Sequence, residues 1–208
     1  EGKKKKSRLI VGLDPNLTQF PQFLQKQLER HPTPERLQEV IFQFNRIIIE
    51  STKQSAVAYK PQLAFYEKYG IPGLLALEQT LIYLQEEQQL VIMDGKRNDI
   101  SHSARAYAQA WLGKKHPIFG HANLWYSQAL TINGYLGSDG ILPFLEVEKT
   151  AGVFVLVKTS NPNVSRGILY ALSPQELGHS TWESTLRERS LQEAENAREA
   201  LQNLHKQQ

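Results

Sequence analysis

Five short apolar runs, each closed by a charge or a turn and separated from the next by a stretch of helical periodicity, limit what this chain can fold into. They are Arg8-Leu9-Ile10-Val11-Gly12-Leu13 before Asp14-Pro15, Ala56-Val57-Ala58-Tyr59 before Lys60-Pro61, and Leu90-Val91-Ile92-Met93 before Asp94-Gly95-Lys96. Ala129-Leu130-Thr131-Ile132 is weaker, and Gly152-Val153-Phe154-Val155-Leu156-Val157 leads into Lys158-Thr159-Ser160-Asn161-Pro162. Continuous apolar runs of this length read as strands buried on both faces. Between the first two, Thr33 can cap and Pro34 suits the first helical position. Leu37, Val40, Ile41, Phe44, Ile47 and Ile48 then share one apolar face. After Gly70-Ile71-Pro72-Gly73, residues Leu74, Leu77, Leu81 and Leu84 make a second amphipathic helix. Ser101 or Ser103 caps a third, with Ala104, Tyr107, Ala108 and Trp111 on one face and Gly113 as its stop, and a short fourth helix is expected near 141–148.

Strands that alternate with helices imply parallel βαβ units in an α/β fold, with functional residues gathered at the carboxyl ends of the strands. Asp14, Lys60, Asp94, Lys96 and Ser160 all fall at such ends. Along a strand, side chains two apart point the same way, so Asp94 and Lys96 are expected side by side, roughly 6 to 7 Å apart along the backbone. Asp99 lies just past the strand. A lone Asp-x-Lys is usually a surface ion pair worth under about 1 kcal/mol. Charges that end several buried strands on one face are harder to dismiss. Converging lysines and carboxylates perturb one another as proton transfer and charge stabilisation require.

Other classes are narrowed by what the sequence holds. With no cysteine among 208 residues, a disulfide framework, a thiolate metal site and a cysteine nucleophile are excluded. No apolar run approaches the length that crosses a bilayer, and a cytoplasmic protein without a membrane partner is expected. A net charge of +3 does not call for nucleic acid, and the basic run Lys3 to Lys6 reads as a solvated end. His102, His116 and His121 lack the spacing or carboxylate partners of a metal site. One domain is the default for this length.

The stretch Asp94-Gly95-Lys96-Arg97-Asn98-Asp99-Ile100 resembles the Asp-x-Lys-x-x-Asp-Ile signature of the orotidine 5'-phosphate decarboxylase family, and its Lys-Arg-x-Asp-Ile form is similar to the longer bacterial subgroup. Val11 to Pro15, Tyr59 to Glu67, Gly134 to Asp139, and Gly152 to Leu156 with Thr159 to Pro162 follow in the family's order. The resemblance runs over roughly residues 8 to 163, flanked by a basic segment at 1–7 and a polar, helical segment at 164–208.

The resemblance implies a (β/α)8 TIM barrel and a carboxy-lyase that converts orotidine monophosphate to uridine monophosphate without cofactor or metal, in pyrimidine synthesis. It makes Lys96 the proton donor to C6 of the pyrimidine, with Asp94 beside the substrate carboxylate. Lys60 bridges ribose and Asp94, and Asp14 contacts the ribose hydroxyls. Ser160 recognises the pyrimidine, with Thr159 and Asn161 read instead as a polar turn. Asp99 reaches the neighbouring subunit's site, which implies a homodimer.

Only about five of the eight βα units are recognisable. Beyond Pro162, Leu186, Ala194, Ala197, Leu201 and Leu204 leave a thin apolar seam on a polar helix. The late loop and terminal arginine that grip phosphate in the family have no counterpart, which reads as an incomplete, processed or frameshifted chain. Remote phosphate binding helps activate the reacting ring, so little or no decarboxylase activity is expected of these residues alone. The alternatives are a noncatalytic fragment acting as an interaction module, and a related magnesium-dependent sugar-phosphate barrel enzyme.

Overall fold

A computed structural model describes residues 7, 9–114, 125–157 and 169–172. The chain divides into two compact units, one of residues 1–95 with 109–130 and the other of 96–108 with 131–208.

The first unit begins with β1 (Leu9–Leu13), a 3-10 turn at Leu17–Gln19, α1 (Gln22–Arg30) and α2 (Pro34–Thr52). It continues through β2 (Ala56–Pro61), α3 (Ala64–Glu67) and α4 (Gly70–Glu86) into β3 (Ile92–Arg97). β1 and β2 pair in parallel, with Gly12 opposite Lys60 and Leu13 opposite Pro61. Parallel bridges from Tyr59 to Val91 and from Gln62 to Asp94 join the end of β2 to β3. These are the βαβ units expected of the alternating pattern.

Thr33 caps α2 by accepting the Arg36 N–H at 3.2 Å, with Pro34 in the first turn. Such a cap contributes about 1 kcal/mol. The buried stripe of α2 is not the one periodicity indicates. Val40, Ile41, Asn45 and Ile49 are buried, whereas Ile47 is 41% exposed. The stripe is rotated toward the line Ile41-Asn45-Ile49, spaced by four residues, where α2 packs on α4 and Asn45 donates to Thr80. Phe44 is used elsewhere, stacked on Phe20 at 4.1 Å between ring centroids.

α4 starts earlier than expected, with Gly70 to Gly73 inside it. Gly73 is there because no side chain fits: a Cβ would stand 2.1 Å from the Tyr66 carbonyl oxygen. β1 is likewise less buried than its composition indicates, with Leu9 and Ile10 each 46% exposed. Among the described residues β1 pairs with β2 alone.

Residues 109–130 complete this unit. Trp111 stacks on Trp125 at 5.1 Å, Ser127 Oγ donates to the Trp111 carbonyl, and Gln128 Oε1 accepts the Val91 N–H at 2.7 Å.

The second unit holds the end of β3, the start of α5 (Ser101–Leu112), most of β4 (Ala129–Asn133), a 3-10 turn at Ser138–Gly140, α6 (Leu142–Glu146), β5 (Gly152–Leu156) and β6 (Leu169–Leu172). The strand order is β3-β4-β5-β6. On α5, Ala104 and Ala108 are buried, but Tyr107 is turned out and lies under the Arg97 guanidinium at 5.2 Å. β5 alternates, with Val153 and Val155 inward. β6 runs antiparallel to β5, pairing Leu169 with Leu156 and Leu172 with Val153. This strand departs from an all-parallel sheet. An antiparallel neighbour needs no crossover helix, so no helical period announces it. The expected helix at 186–204 lies outside the described residues.

Candidate active site

Asp94 and Lys60 are adjacent because β2 and β3 run in parallel register. The Leu63 N–H donates to the Asp94 carbonyl at 3.1 Å and the Tyr59 N–H to the Leu90 carbonyl at 2.8 Å. This pairing sets the end of β2 level with Asp94 in β3. Lys60 Nζ then donates to Asp94 Oδ2 at 2.9 Å, and Gln62 Nε2 donates to the same oxygen at 2.9 Å. The Asp94 side chain is only 9% exposed, against 30% for Lys60. Asp94, expected where the apolar run ends, lies inside β3, and its carboxylate accepts from Lys60 and Gln62. A buried carboxylate without such partners would cost several kcal/mol.

Gln62 is a member of this cluster that sequence reasoning missed. Its signal was its place directly after Lys60-Pro61 at a strand end. One step past the last paired positions of β1 and β2, Leu13 and Pro61, stand Asp14 and Gln62, and Gln62 in turn bridges Asp94. Parallel register thus brings Asp14, Lys60 and Asp94 toward the same end of neighbouring strands. Asp14 is exposed there, at the strand end.

In the second unit, Lys96 has a left-handed backbone, with φ of 47°. The regular pleat therefore breaks at Lys96, and the simple expectation of Asp94 and Lys96 as equivalent positions on a flat strand fails. The Lys96 N–H is held by Thr131 Oγ1 at 2.9 Å, and Thr131 is 1% exposed. A left-handed conformation at a residue with a side chain costs on the order of 1 kcal/mol and persists only when its surroundings enforce it. The buried Thr131 hydroxyl is such a restraint. Lys96 itself is exposed.

Asp99 Oδ1 accepts the Ile100 N–H at 2.8 Å. Its carbonyl lies 3.2 Å, and Asn98 Oδ1 3.3 Å, from where a Cβ on Gly140 would stand. The Asn98-Asp99 turn is thus packed closely on the 3-10 turn 138–140. Ser160, with Thr159 and Asn161, lies outside the described residues. Among the described residues no three His, Asp or Glu side chains are grouped to hold a metal ion, and no helix is long and apolar enough to cross a membrane.

Comparison with known proteins gives the same reading of these strands. The sequence matches the orotidine 5'-phosphate decarboxylase / HUMPS family over residues 7–181. It is 42% identical over 166 residues to the orotidine 5'-phosphate decarboxylase of Caldicellulosiruptor saccharolyticus, covering 77% of this chain and 54% of that protein. It is 41% identical over 154 residues to that of Rhodopirellula baltica, covering 73% of this chain and 50% of that one. A crystal structure of a putative orotidine 5'-phosphate decarboxylase from Streptomyces avermitilis superimposes with a TM-score of 0.60 at 33% identity, covering 77% of this chain and 52% of that chain. This chain therefore spans about half the length of the curated relatives it matches. Its strands and helices are (β/α) units of a TIM barrel. A match through residues 7–181, with relatives at about 40% identity over some three quarters of the sequence, means that the chain belongs to the orotidine 5'-phosphate decarboxylase / HUMPS family.

Proposed function

We propose that these residues belong to an enzyme that decarboxylates orotidine monophosphate to uridine monophosphate in pyrimidine nucleotide synthesis. The observation that carries this reading is the buried Asp94 carboxylate held 2.9 Å from the Lys60 ammonium, with Lys96 two residues further along the same strand. The names of the relatives support it.

The chemistry follows from the charges. When the bond from C6 to the carboxylate breaks, carbon dioxide leaves and the bonding pair stays on C6, in the plane of the ring and outside its π system. A fixed ammonium beside C6 stabilises that pair and then donates a proton to it, forming the C6–H bond and leaving a neutral amine that solvent reprotonates. Lys96 takes this role. Asp94 stands beside the substrate carboxylate and holds the lysines, Lys60 links Asp94 to the ribose, Asp14 binds ribose hydroxyls, and Ser160 reads the pyrimidine. No step calls on a metal or an organic cofactor. Asp99 completes the site of a second subunit in a homodimer, and the protein works in the cytoplasm without membrane or nucleic acid.

The test is carbon dioxide release from orotidine monophosphate by the protein, with Lys96→Ala alongside. Turnover that falls by more than about 1000-fold in the variant supports the reading. Turnover of a sugar phosphate that depends on magnesium would replace it with the related barrel chemistry.

A further inference from the structure

A buried hydrogen-bonded relay ends on the Leu13 carbonyl, in the peptide bond that joins Leu13 to Asp14. Thr80 Oγ1 donates to the Ala76 carbonyl at 2.7 Å, and Tyr66 Oη donates to the Leu13 carbonyl at 3.0 Å. Each hydroxyl has one proton, so both oxygens are left to accept. Asn45 supplies what they accept: its Nδ2 donates to Tyr66 Oη at 3.0 Å and to Thr80 Oγ1 at 2.9 Å. This settles which way the amide faces, because the reverse orientation would offer an acceptor to two groups with no proton to give. Asn45, Tyr66 and Thr80 are all fully buried. Asn45 Oδ1 is buried without a hydrogen-bond partner among the described residues. Leucine would fill position 45 of this apolar stripe without such a cost, so the amide is there for the two bonds it makes.

The bond at the end of the relay fixes the peptide plane that joins Leu13 to Asp14. On the other side of Asp14, Pro15 restricts the preceding residue to extended backbone. Tyr69 Oη accepts the Leu17 N–H at 3.2 Å and donates a long bond to the Pro15 carbonyl at 3.4 Å. Asp14 is exposed at the strand end, yet the backbone on both sides of it is held by phenols from one short stretch of chain. Burial raises the Tyr66 phenol far above its ordinary range, and the nearby Asp14 carboxylate adds to the shift against the opposing bond from Asn45. Tyr66 therefore stays a proton donor at any working pH.

We propose that Tyr66, oriented by Asn45 and Thr80, is a positioning residue for Asp14 and sets where its carboxylate meets the ligand. This rests on the reading above, in which Asp14 binds ribose hydroxyls. The relay ties β1 to the α2 and α4 helices at a point where a backbone shift would move that carboxylate.

The experiment is calorimetric binding of uridine monophosphate to the protein as wild type, Tyr66→Phe, Asp14→Asn and the double variant. Tyr66→Phe is expected to weaken binding about tenfold in the wild-type background and to have no further effect beside Asp14→Asn. Equal losses in both backgrounds would overturn the proposal, since a merely structural phenol acts whether or not Asp14 is charged. If Asp14→Asn binds like wild type, or wild type does not bind, the ribose reading falls and takes the proposal with it. Should Tyr66→Phe fail to fold, Thr80→Val goes through the same cycle under the same criteria, because it removes one of the two hydroxyls that fix Asn45 and so loosens the orientation of Tyr66.

Discussion

The Lys60 ammonium and the Asp94 carboxylate meet at 2.9 Å on adjacent parallel strands, and the aspartate is the more deeply buried of the two. Removing the lysine takes the ammonium away from a buried carboxylate to which Gln62 still donates. Lys60→Ala is expected to lower stability by about 2 to 3 kcal/mol, because taking the ammonium from a buried carboxylate costs more than the contact itself contributes. Adding Asp94→Asn to that variant is expected to recover part of the loss, since a neutral amide tolerates burial better than a carboxylate that has lost its ammonium. Urea denaturation midpoints of the single and double variants check both statements.

Lys96 combines a side chain proposed to donate a proton with a backbone better suited to glycine. Lys96→Ala and Lys96→Gly both remove the ammonium, so both are expected to abolish turnover. They differ in backbone. At φ of 47° glycine escapes the steric cost that alanine keeps, and Lys96→Gly is expected to be more stable than Lys96→Ala by about 1 kcal/mol. Equal thermal midpoints for the two would show that the left-handed conformation carries no strain.

The strands and most helices were legible because burial on both faces leaves continuous apolar runs and one-sided burial leaves a 3.6-residue period. Lys60 and Asp94 were legible for the complementary reason, as charges placed where those runs end. The burial of Asp94 was not legible, since it depends on Gln62 and Lys60 arriving from another strand. Asn45 escaped notice in the same way: a polar residue on an apolar stripe reads as a flaw until Tyr66 and Thr80 stand beside it. The left-handed turn at Lys96 depends on Thr131, 35 residues away in sequence, and no local pattern reports such a restraint.

Gly73 is the packing joint between α3 and α4. Its missing side chain lets the helix pass against Tyr66, with a Cβ position 2.1 Å from the Tyr66 carbonyl oxygen and 2.9 Å from Tyr69 Cβ. The obstacle at 2.1 Å is backbone, which cannot rotate away. Gly73→Ala is expected to lower stability by about 3 kcal/mol despite the better helix propensity of alanine. Since the clash falls on the residues that flank Asp14 through their phenols, it is also expected to weaken uridine monophosphate binding under conditions where the variant remains folded. Thermal unfolding with binding measured below the transition checks the two effects separately.

Lys53 and Glu87 close the carboxyl ends of α2 and α4 with a bond of 2.7 Å. The bond from Lys53 holds the Glu87 carboxyl below its ordinary 4.5, and the bond from Glu87 holds the Lys53 ammonium above its ordinary 10.5. For a carboxyl depressed by folding, the stabilisation is full above 4.5 and is lost as pH falls through the folded value. For an ammonium raised by folding, it is full below 10.5 and is lost as pH rises through the folded value. Between those limits the pair contributes a constant amount, screened by water because both side chains are more than a quarter exposed. Glu87→Gln is expected to lower stability by the same small amount throughout that window and to converge with the wild type at both extremes. A difference that instead grows toward acid would mean that the carboxyl is not held by the lysine. Urea midpoints of the two proteins across the pH range read this directly, and added salt is expected to shrink the difference at neutral pH.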